Sequence, residues 1–301
     1  MKLRLGARGS ALSLAQAGLV ARSLNSWAEV EIVKVKTTGD RLSAEEAAIS
    51  WKGDFTKELD EALLERRVDF AVHSLKDVPA TLPEGLALAA VPLREDPSDV
   101  LVAHPQRPFS ELPRGARVGT SSPRRKAQLL AARPDLEVVE VRGNVETRIR
   151  RLREGRFDAI VLARAGLARL GRLEEISEVF SPDVLLPAVG QGALALVSRS
   201  DDERVRALLG RVDDADSHAA VLAERSLLGA LDAGCRAPVA GRARVEGGVL
   251  LLTAGVFSED GTRVLREEAS GSPAEGILIG RVVAEKLLAG GAAALIRGLR
   301  P

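Results

Sequence analysis

The chain has 301 residues, of which 46% are hydrophobic, enough for the cores of two or three domains. Its charged residues almost cancel, at a formal net charge of +1, and aromatic residues make up only 3%, with no tyrosine. Because nucleic-acid binding relies on a basic excess and on aromatic side chains that stack on bases, we expect no nucleic-acid partner.

The single cysteine, Cys235, excludes an intrachain disulfide and a metal cluster built from several thiols. The three histidines, His73, His104 and His218, do not have the spacing of metal ligands, so we predict no metal site. The segment MKLRLGARGS lacks the apolar core of a secretory signal, and no stretch approaches the roughly 18 apolar residues of a membrane span. We therefore expect a cytoplasmic protein with no membrane contact.

Short apolar strands alternate with helical patterns through the first two-thirds of the chain. In chain order, the sequence predicts strands in KLRLGA, EVEIVKVK, VDFAVHS, ARVGT, LEVVEV and DAIVLA. Between and after them it predicts helices in ALSLAQAGLVARSL, TKELDEALLERR, PRRKAQLLAAR, VETRIRRLREG and AGLARLG. This alternation is typical of parallel α/β layers.

The last third follows a different pattern. DSHAAVLAERSLLGALDAG predicts a helix capped by Asp216 or Ser217, with Gly234 just past its end. Strands follow in RARVEGGVLLLTAGVF and TRVLREEAS, with turns at EGG and SEDGT, before a closing helix in SPAEGILIGRVVAEKLLAGG. This pattern predicts an α+β module with a small antiparallel sheet, and seams at 92–99 and 212–217.

The helix that begins in VGTSSPRRKAQLL carries an unusual charge in its first turn. Ser122 is a good N-cap, Pro123 suits the first helical position, and Arg124 and Arg125 follow. Cations at a helix N-terminus are unfavourable by roughly 0.3–1 kcal/mol each. The residues leave two interpretations open, an anion site formed by hydroxyls, backbone N–H groups and guanidiniums, or a solvated surface pair.

The same pattern recurs at other strand ends, which hold Arg8 with Ser10, and Arg142 with Arg148 around the helix cap Asn144. Ligands of parallel α/β folds lie outside the carboxyl ends of the strands. We therefore expect one cleft lined by arginines, namely Arg8, Arg124, Arg125, Arg142, Arg148 and Arg169. Guanidiniums bind carboxylates through two N–H groups, so this cleft predicts a substrate with several carboxylates or phosphates.

Asp77 follows the predicted buried strand in DFAVHSLKDVPA, where Pro79 forces an extended exit. A carboxylate at this edge can hold a cationic intermediate or pass a proton to a leaving group. The residues alone leave open that Asp77 is simply paired with Lys76 or a nearby arginine. His73 points inward from the strand, so we expect a structural histidine.

Cys235 lies between Gly234 and Arg236, with Pro238 close behind. A thiol in a Gly/Pro loop is accessible, and a neighbouring arginine favours the thiolate, which predicts a reactive residue. A lone cysteine is otherwise a small buried hydrophobe, and this alternative stays open on the residues alone.

The chain resembles the porphobilinogen deaminases, also called hydroxymethylbilane synthases, in segments that follow the family's order over nearly the whole chain. These segments are ARGSALSLAQA, KGDFTKELDEALL, DFAVHSLKDVPA, VGTSSPRRKAQLL, VRGNVETRIRRL, LARAGLARLG, LPAVGQGALAL and AERSLLGALDAGCRAPVAG. The resemblance implies a transferase of tetrapyrrole and haem biosynthesis. It would condense four porphobilinogen molecules head to tail onto a dipyrromethane primer, release ammonia each time, and free hydroxymethylbilane by hydrolysis.

The resemblance also implies roles for individual residues. Cys235 would carry the dipyrromethane cofactor through a thioether, and Asp77 would be the catalytic aspartate. Cofactor contacts are implied for Lys76, Asp77, Thr120, Ser122, Arg124, Arg125 and Arg148. Substrate contacts are implied for Arg8, Ser10, Gln16, Lys52, Phe55, Arg142, Arg148, Arg169 and Gln191. The segment EEAAISWKGDF departs from the family, with Ala48 where a lysine and Trp51 where a glycine is common.

The fold that the resemblance implies is α/β, with two lobes similar to periplasmic binding proteins and a small α+β C-terminal domain with an antiparallel sheet. The expected domains are 1–95 with 193–212, 98–188, and 215–301, in a monomer. A non-enzymatic solute-binding protein would share the two lobes and the anion cleft, but it leaves Cys235 in its own third domain unexplained. A nucleic-acid-binding regulator is disfavoured by the charge and aromatic content.

Overall fold

The structure is a computed structural model that describes residues 1–36, 56–233 and 237–297. The described strands are β1 (Lys2–Arg8), β2 (Glu29–Val35), β3 (Phe70–Ser74), β4 (Leu86–Ala90), β5 (Asp99–Ala103), β6 (Arg117–Gly119), β7 (Glu137–Val139), β8 (Ala159–Ala163), β9 (Glu178–Val179), β10 (Leu194–Arg199), β11 (Val239–Glu246), β12 (Val249–Phe257) and β13 (Val264–Gly271). The described helices are α1 (Ala11–Leu24), α2 (Lys57–Leu64), α3 (Pro123–Ala132), α4 (Val145–Arg153), α5 (Arg164–Arg169), α6 (Glu203–Leu209), α7 (Ala215–Ala230), α8 (Gly276–Ala289) and α9 (Ala292–Arg297).

The strands form three sheets in two compact units. One unit comprises Met1–Glu95 with Ala193–His218, and the other comprises Asp96–Gly192 with Ala219–Pro301. The first unit holds a five-stranded sheet, and the second holds a five-stranded and a three-stranded sheet. The predicted α/β class with an antiparallel C-terminal sheet is confirmed, whereas the three domain boundaries stay a prediction.

The two five-stranded sheets share one pattern of strand directions. Their orders are β2-β1-β3-β10-β4 and β7-β6-β8-β5-β9. In each, the fourth strand runs antiparallel to both neighbours, while the other pairings are parallel. The expectation of parallel layers holds for the six strands predicted there, β1 to β3 and β6 to β8, whereas the antiparallel strands β5 and β10 were not predicted from the sequence. Hydrophobic period reports which residues are buried but carries no information on strand direction.

Strand β5 shows why the centre of the second sheet is so apolar. Its residues are all buried, and they alternate between two separate hydrophobic clusters, with Leu101 and Ala103 in one and Val100 and Val102 in the other. Burial on both faces explains the continuous apolar run. The exception is Asp99, a carboxylate with no exposed surface at the start of the strand.

The C-terminal sheet is an antiparallel meander of β11, β12 and β13. The predicted EGG turn is confirmed, with Gly247 (φ 58°) and Gly248 (φ 78°) joining β11 to β12. Both residues have positive φ, which is the requirement of a two-residue turn that matches the twist of the strands.

The turn between β12 and β13 lies against helix α3. A Cβ on Gly261 would stand 2.4 Å from the carbonyl oxygen of Ala127 and 2.5 Å from the nitrogen of Ala131. Only glycine fits so close to the backbone of a helix. This contact fixes α3, which carries Arg124 and Arg125, against the C-terminal sheet.

We predict that Gly261→Ala destabilises the protein more than Gly247→Ala. Both glycines have positive φ, at 74° and 58°, so both variants carry the cost of about 1–2 kcal/mol for a side chain in the left-handed region. Nothing lies within 4 Å of a Cβ on Gly247, whereas Gly261 also meets the α3 backbone. Urea unfolding measures both changes. Equal losses of stability in the two variants would contradict the close approach of turn and helix.

Candidate active site

Asp77 and Lys76 lie on a short 3₁₀ turn, Leu75–Asp77, that follows β3 directly. The turn is anchored by Leu75, which is buried and whose N–H donates to the Ala193 carbonyl at 3.0 Å. Val78 is buried on the other side, while the side chains of Lys76 and Asp77 are exposed. The turn therefore holds the Asp77 carboxylate in a defined place and leaves it open to solvent.

The neighbouring strand end is ordered by hydroxyl groups. Ser10 caps α1 as predicted, its Oγ accepting the Ser13 N–H at 3.3 Å, and Ser13 Oγ accepts the N–H of Arg8 at 3.0 Å. Gln16 is buried on α1 and donates through Nε2 to Ser74 Oγ at 2.9 Å. These bonds tie the carboxyl ends of β1 and β3 together, so Arg8 and Gln16 belong to the sheet edge that Asp77 follows.

His73 is a buried histidine at this edge. Burial, and secondly the positive charge of Arg8, lowers the pKa of His73 to about 4. Its Nε2 atom has no hydrogen-bond partner within the described ranges. The ring is therefore neutral near pH 7, which agrees with the structural role expected from the sequence.

In the second unit, the turn after β6 is built from hydroxyl side chains. Thr120 is buried, and its Oγ1 accepts the N–H of Ser122 at 3.2 Å. Ser122 caps α3 as predicted, although its Oγ stands 3.4 Å from the Arg125 nitrogen. Thr120 and Ser122 thus shape the start of the helix that carries the two arginines.

The guanidiniums of Arg124 and Arg125 point inward and share the buried carboxylate of Asp99. Arg124 Nη1 lies 2.7 Å from Oδ2 of Asp99, and Arg125 Nη2 lies 2.6 Å from Oδ1. Burial alone would raise the pKa of Asp99, but the charges of Arg124 and Arg125 outweigh it and lower the pKa to about 2. The carboxylate is therefore ionised, and the cofactor contacts of both arginines stay a prediction.

Gln191 belongs to the same cluster. It is buried, and its Nε2 donates to Asp99 Oδ1 at 2.9 Å and to the Pro97 carbonyl at 2.6 Å. Arg169 on α5 donates to the carbonyl of the next residue, Gly192, at 2.6 Å. Two residues with predicted substrate contacts are thus brought together at 191–192.

Arg142 and Arg148 are half-buried around the start of α4. Asn144 caps this helix as predicted, its Oδ1 accepting the Thr147 N–H at 2.8 Å. Arg142 pairs with Glu140 at 2.8 Å, and Arg148 Nε donates to the Gly143 carbonyl at 2.7 Å. Their substrate contacts stay a prediction.

Three of the predicted site residues, Lys52, Phe55 and Cys235, lie outside the described residues. On either side of Cys235, Leu231 and Val239 are buried in the C-terminal core. Glu224 on α7 is also buried and accepts the N–H groups of Gly190 and Ala243, each at 2.6 Å. The two elements that flank residues 234–236, α7 and β11, are thus joined to each other, and α7 is joined to the segment that precedes Gln191.

Sequence reasoning missed Asp99, the residue that unites the cluster. The signal was an aspartate at the start of the otherwise apolar run DVLVA, because carboxylates are almost never fully buried unless they are paired. Within the described residues, no group of three His, Cys, Asp or Glu side chains is placed to hold a metal ion. No described helix is long and apolar enough to cross a membrane.

Comparison with known families identifies the family of this chain. Residues 3–207 match the family model described as porphobilinogen deaminase, dipyromethane cofactor binding domain. Residues 218–289 match the model of the C-terminal domain of porphobilinogen deaminase. The chain belongs to the porphobilinogen deaminase family, which confirms the resemblance found in the sequence.

Individual relatives are similar over nearly their whole length. The porphobilinogen deaminase of Rubrobacter xylanophilus is 50% identical over 305 residues, covering 100% of this chain and 99% of its own. That of Syntrophobacter fumaroxidans is 49% identical over 294 residues, covering 96% and 95%. Among solved structures, the VFT2 domain of Bordetella pertussis BvgS is similar with a TM-score of 0.42 and 16% identity, over 70% of this chain and 86% of that domain.

We predict that His73→Gln reduces the loss of stability on acidification. Between pH 6.5 and 4, the free energy of unfolding should fall less in this variant than in the unsubstituted chain. The unfolded chain binds a proton at this histidine near pH 6.5, but the folded protein binds it only near pH 4. Stability from the neutral ring is therefore complete above pH 6.5 and is lost as the pH falls to 4, at about 1.4 kcal/mol per unit of pKa shift.

Urea unfolding of both proteins between pH 7.5 and 4 measures this difference. Burial raises the pKa of Asp60 to about 6, so Asp60 acts in the opposite direction, favouring the folded state as the pH falls, and is common to both proteins. His104→Gln is the control for removing an imidazole as such. If His73→Gln and the unsubstituted chain lose stability in parallel, the buried neutral ring is disproved.

Proposed function

We propose that this chain catalyses the porphobilinogen deaminase reaction. Four porphobilinogen molecules are joined head to tail on a protein-bound dipyrromethane, one ammonia leaves per addition, and hydrolysis frees hydroxymethylbilane. The observation that carries the proposal is the exposed Asp77 carboxylate on a rigid turn, within the residues 3–207 that match the cofactor-binding domain. The product would serve tetrapyrrole and haem biosynthesis.

The residues of the second unit fit the cofactor. Dipyrromethane carries acetate and propionate groups, and the cluster of Arg124, Arg125 and Asp99 has one more positive than negative charge. We propose that this cluster, with Thr120, Ser122 and Arg148, binds those carboxylates, and that Lys76 and Asp77 also contact the cofactor. Cys235 would hold it through a thioether. When bound, the group supplies the pyrrole carbon to which the first substrate is joined.

Asp77 is the proposed catalytic residue. Loss of ammonia leaves positive charge on the substrate, delocalised onto its pyrrole nitrogen. A carboxylate beside that nitrogen stabilises the charge through formation of the carbon–carbon bond. The exposed position of Asp77 supports this role, because it leaves the side chain accessible to a substrate.

The remaining arginines are proposed to bind the acetate and propionate groups of the substrate and the growing chain. They are Arg8, Arg142, Arg148 and Arg169, with Ser10, Gln16, Lys52, Phe55 and Gln191. A chain of 43 basic and 42 acidic residues attracts a polyanion only through such local groupings. Guanidiniums at strand ends form such groupings, and their planar N–H donors match the geometry of a carboxylate.

We further propose a cytoplasmic monomer that binds neither nucleic acid nor membranes. The near-neutral charge supports the absence of nucleic-acid binding, the single cysteine supports a reducing compartment, and the monomer follows from the family resemblance. Light scattering on the purified chain measures the oligomeric state directly.

We predict that intact-mass measurement finds the protein heavier by two pyrrole rings, and that peptide mapping places them on Cys235. Cys235→Ala removes the only thiol, so it should carry no adduct and show no turnover. A fully active preparation with an unmodified mass would exclude the covalent cofactor. A passive solute-binding protein would bind its ligand reversibly and leave the mass unchanged.

We predict that Asp77→Asn folds and retains the cofactor but turns over about 100-fold more slowly or worse, because a neutral amide stabilises developing positive charge poorly. The matched control is Asp201→Asn, which alters an exposed aspartate paired with Arg66 in the same unit and should stay near wild type. Steady-state kinetics and intact mass measure both variants. Near-normal turnover of Asp77→Asn removes this residue from the mechanism.

A further inference from the structure

We infer that Asp99 is a positioning residue that gives the two adjacent arginines different tasks. It holds Arg125 as an internal cation and orients Arg124, whose remaining N–H groups then take a carboxylate of the pyrrole chain. This inference deepens the proposed function and rests on it. From the sequence, Arg124 and Arg125 are equivalent neighbours at one helix start, whereas their contacts in the structure differ.

The guanidinium of Arg125 is hydrogen-bonded to protein acceptors through all three nitrogens. Nε and Nη2 donate to Asp99 Oδ1 at 2.9 and 2.6 Å, and Nη1 donates to the Val161 carbonyl at 2.9 Å. All three nitrogens therefore have acceptors on the strands β5 and β8. A side chain that is 95% buried and bonded in this way has its position fixed and contributes its charge, rather than its N–H groups, to a ligand.

Arg124 uses its guanidinium differently. The hydrogen bonds that it makes to described residues all leave from Nη1, to Asp99 Oδ2 at 2.7 Å and to the Leu186 carbonyl at 2.6 Å. Its Nε–H is buried and has no acceptor in the part of the chain that the structure describes. Such a group is rare in a folded protein, and it favours a site that a ligand oxygen completes after a small side-chain movement.

The charges of the cluster point the same way. Two buried guanidiniums face one buried carboxylate, which leaves one positive charge at the N-terminus of α3, an end that is itself electropositive. Burial lowers the pKa of Arg124, while the Asp99 charge raises it. A surplus cation in a low-dielectric setting is costly until an anion joins it, and a pyrrole acetate or propionate is an anion of the right charge.

Asp99 is well placed to direct both arginines because it is itself immobilised. It has no exposed surface, it begins the buried strand β5, and its Oδ1 also accepts from Gln191. Gln128 supports the second acceptor of Arg124, since its Nε2 donates to the Leu186 carbonyl at 3.1 Å and its Oε1 accepts the Leu186 N–H at 2.8 Å. Both acceptors of Arg124 Nη1, the Asp99 carboxylate and the Leu186 carbonyl, are therefore held in place, and together they fix the direction of this side chain.

Arg124→Lys and Arg125→Lys test the division of tasks, because lysine keeps the charge but lacks the planar fork. We expect Arg124→Lys to lower the cofactor-loaded fraction and to raise the KM for porphobilinogen about tenfold or more, with a smaller loss of Tm than Arg125→Lys, since it loses a charged hydrogen bond to the pyrrole chain. We expect Arg125→Lys to lower Tm by about 5 °C or more and to raise KM less than Arg124→Lys does. Intact mass gives the cofactor-loaded fraction, to which rates are normalised.

Two charge-balanced double variants provide a second measurement. Asp99→Asn with Arg125→Gln, and Asp99→Asn with Arg124→Gln, each remove one charge of either sign and leave the cluster with the wild-type net charge. The first retains Arg124, whose Nη1 can still donate to the amide oxygen at position 99, so we expect it to raise KM less than the second, which should show the roughly tenfold rise. Equal KM values in the two double variants, or the reverse order, would overturn the inference.

Failure of the inference is distinguishable from failure of the proposed function. Wild-type consumption of porphobilinogen tests the function, and the Tm of Arg125→Lys tests the internal role of Arg125 without any substrate. An Arg125→Lys protein that melts with the wild type overturns the inference even in an active enzyme.

Discussion

A single buried carboxylate, that of Asp99, holds the second unit's candidate site in place. It joins strand β5 to the start of α3 through Arg124 and Arg125, and to the 186–192 segment through Gln191. Two guanidiniums in the interior without this partner would be strongly destabilising, since a buried charge is tolerated only when it is paired. The arginine charges keep the pKa of Asp99 at about 2, so the interaction persists across the pH range in which proteins normally fold.

The first unit follows the same rule with neutral groups. Ser10 and Ser13 accept backbone N–H groups through their Oγ atoms, and the Gln16 amide donates to Ser74, which joins the ends of β1 and β3. His73 stays neutral beneath them. In both units the buried polar groups are structural supports, and they differ from the groups proposed to do chemistry. Asp77 is exposed, so it is positioned by its backbone turn and keeps its carboxylate available.

Local patterns predicted many helix caps and turns, because that information lies within a few residues, whereas β4, β5, β9, β10 and α6 were not predicted. The caps at Ser10, Ser122 and Asn144 and the Gly247–Gly248 turn are examples. The directions of β5 and β10, and the Asp99 partnership, were not predictable in this way. These contacts join Asp99 to Arg125, which is 26 residues away, and to Gln191, which is 92 residues away. Hydrophobic period and secondary-structure propensity describe only local sequence, so they do not predict such contacts. The arginines, Asp77 and Cys235 were candidates from the residues themselves, and the family resemblance supplied their roles and the other site residues.

Asp99 also shows how a nearly neutral chain can be suited to a polyanion. The formal charge of +1 arises from 43 basic and 42 acidic residues, so attraction has to come from local imbalance. At α3 that imbalance is one charge, since Asp99 cancels one guanidinium of two. Because the imbalance is buried, salt screens it far less than it screens surface charges. A modest and directed surplus of this kind suits an enzyme that has to retain its primer and yet release an anionic product.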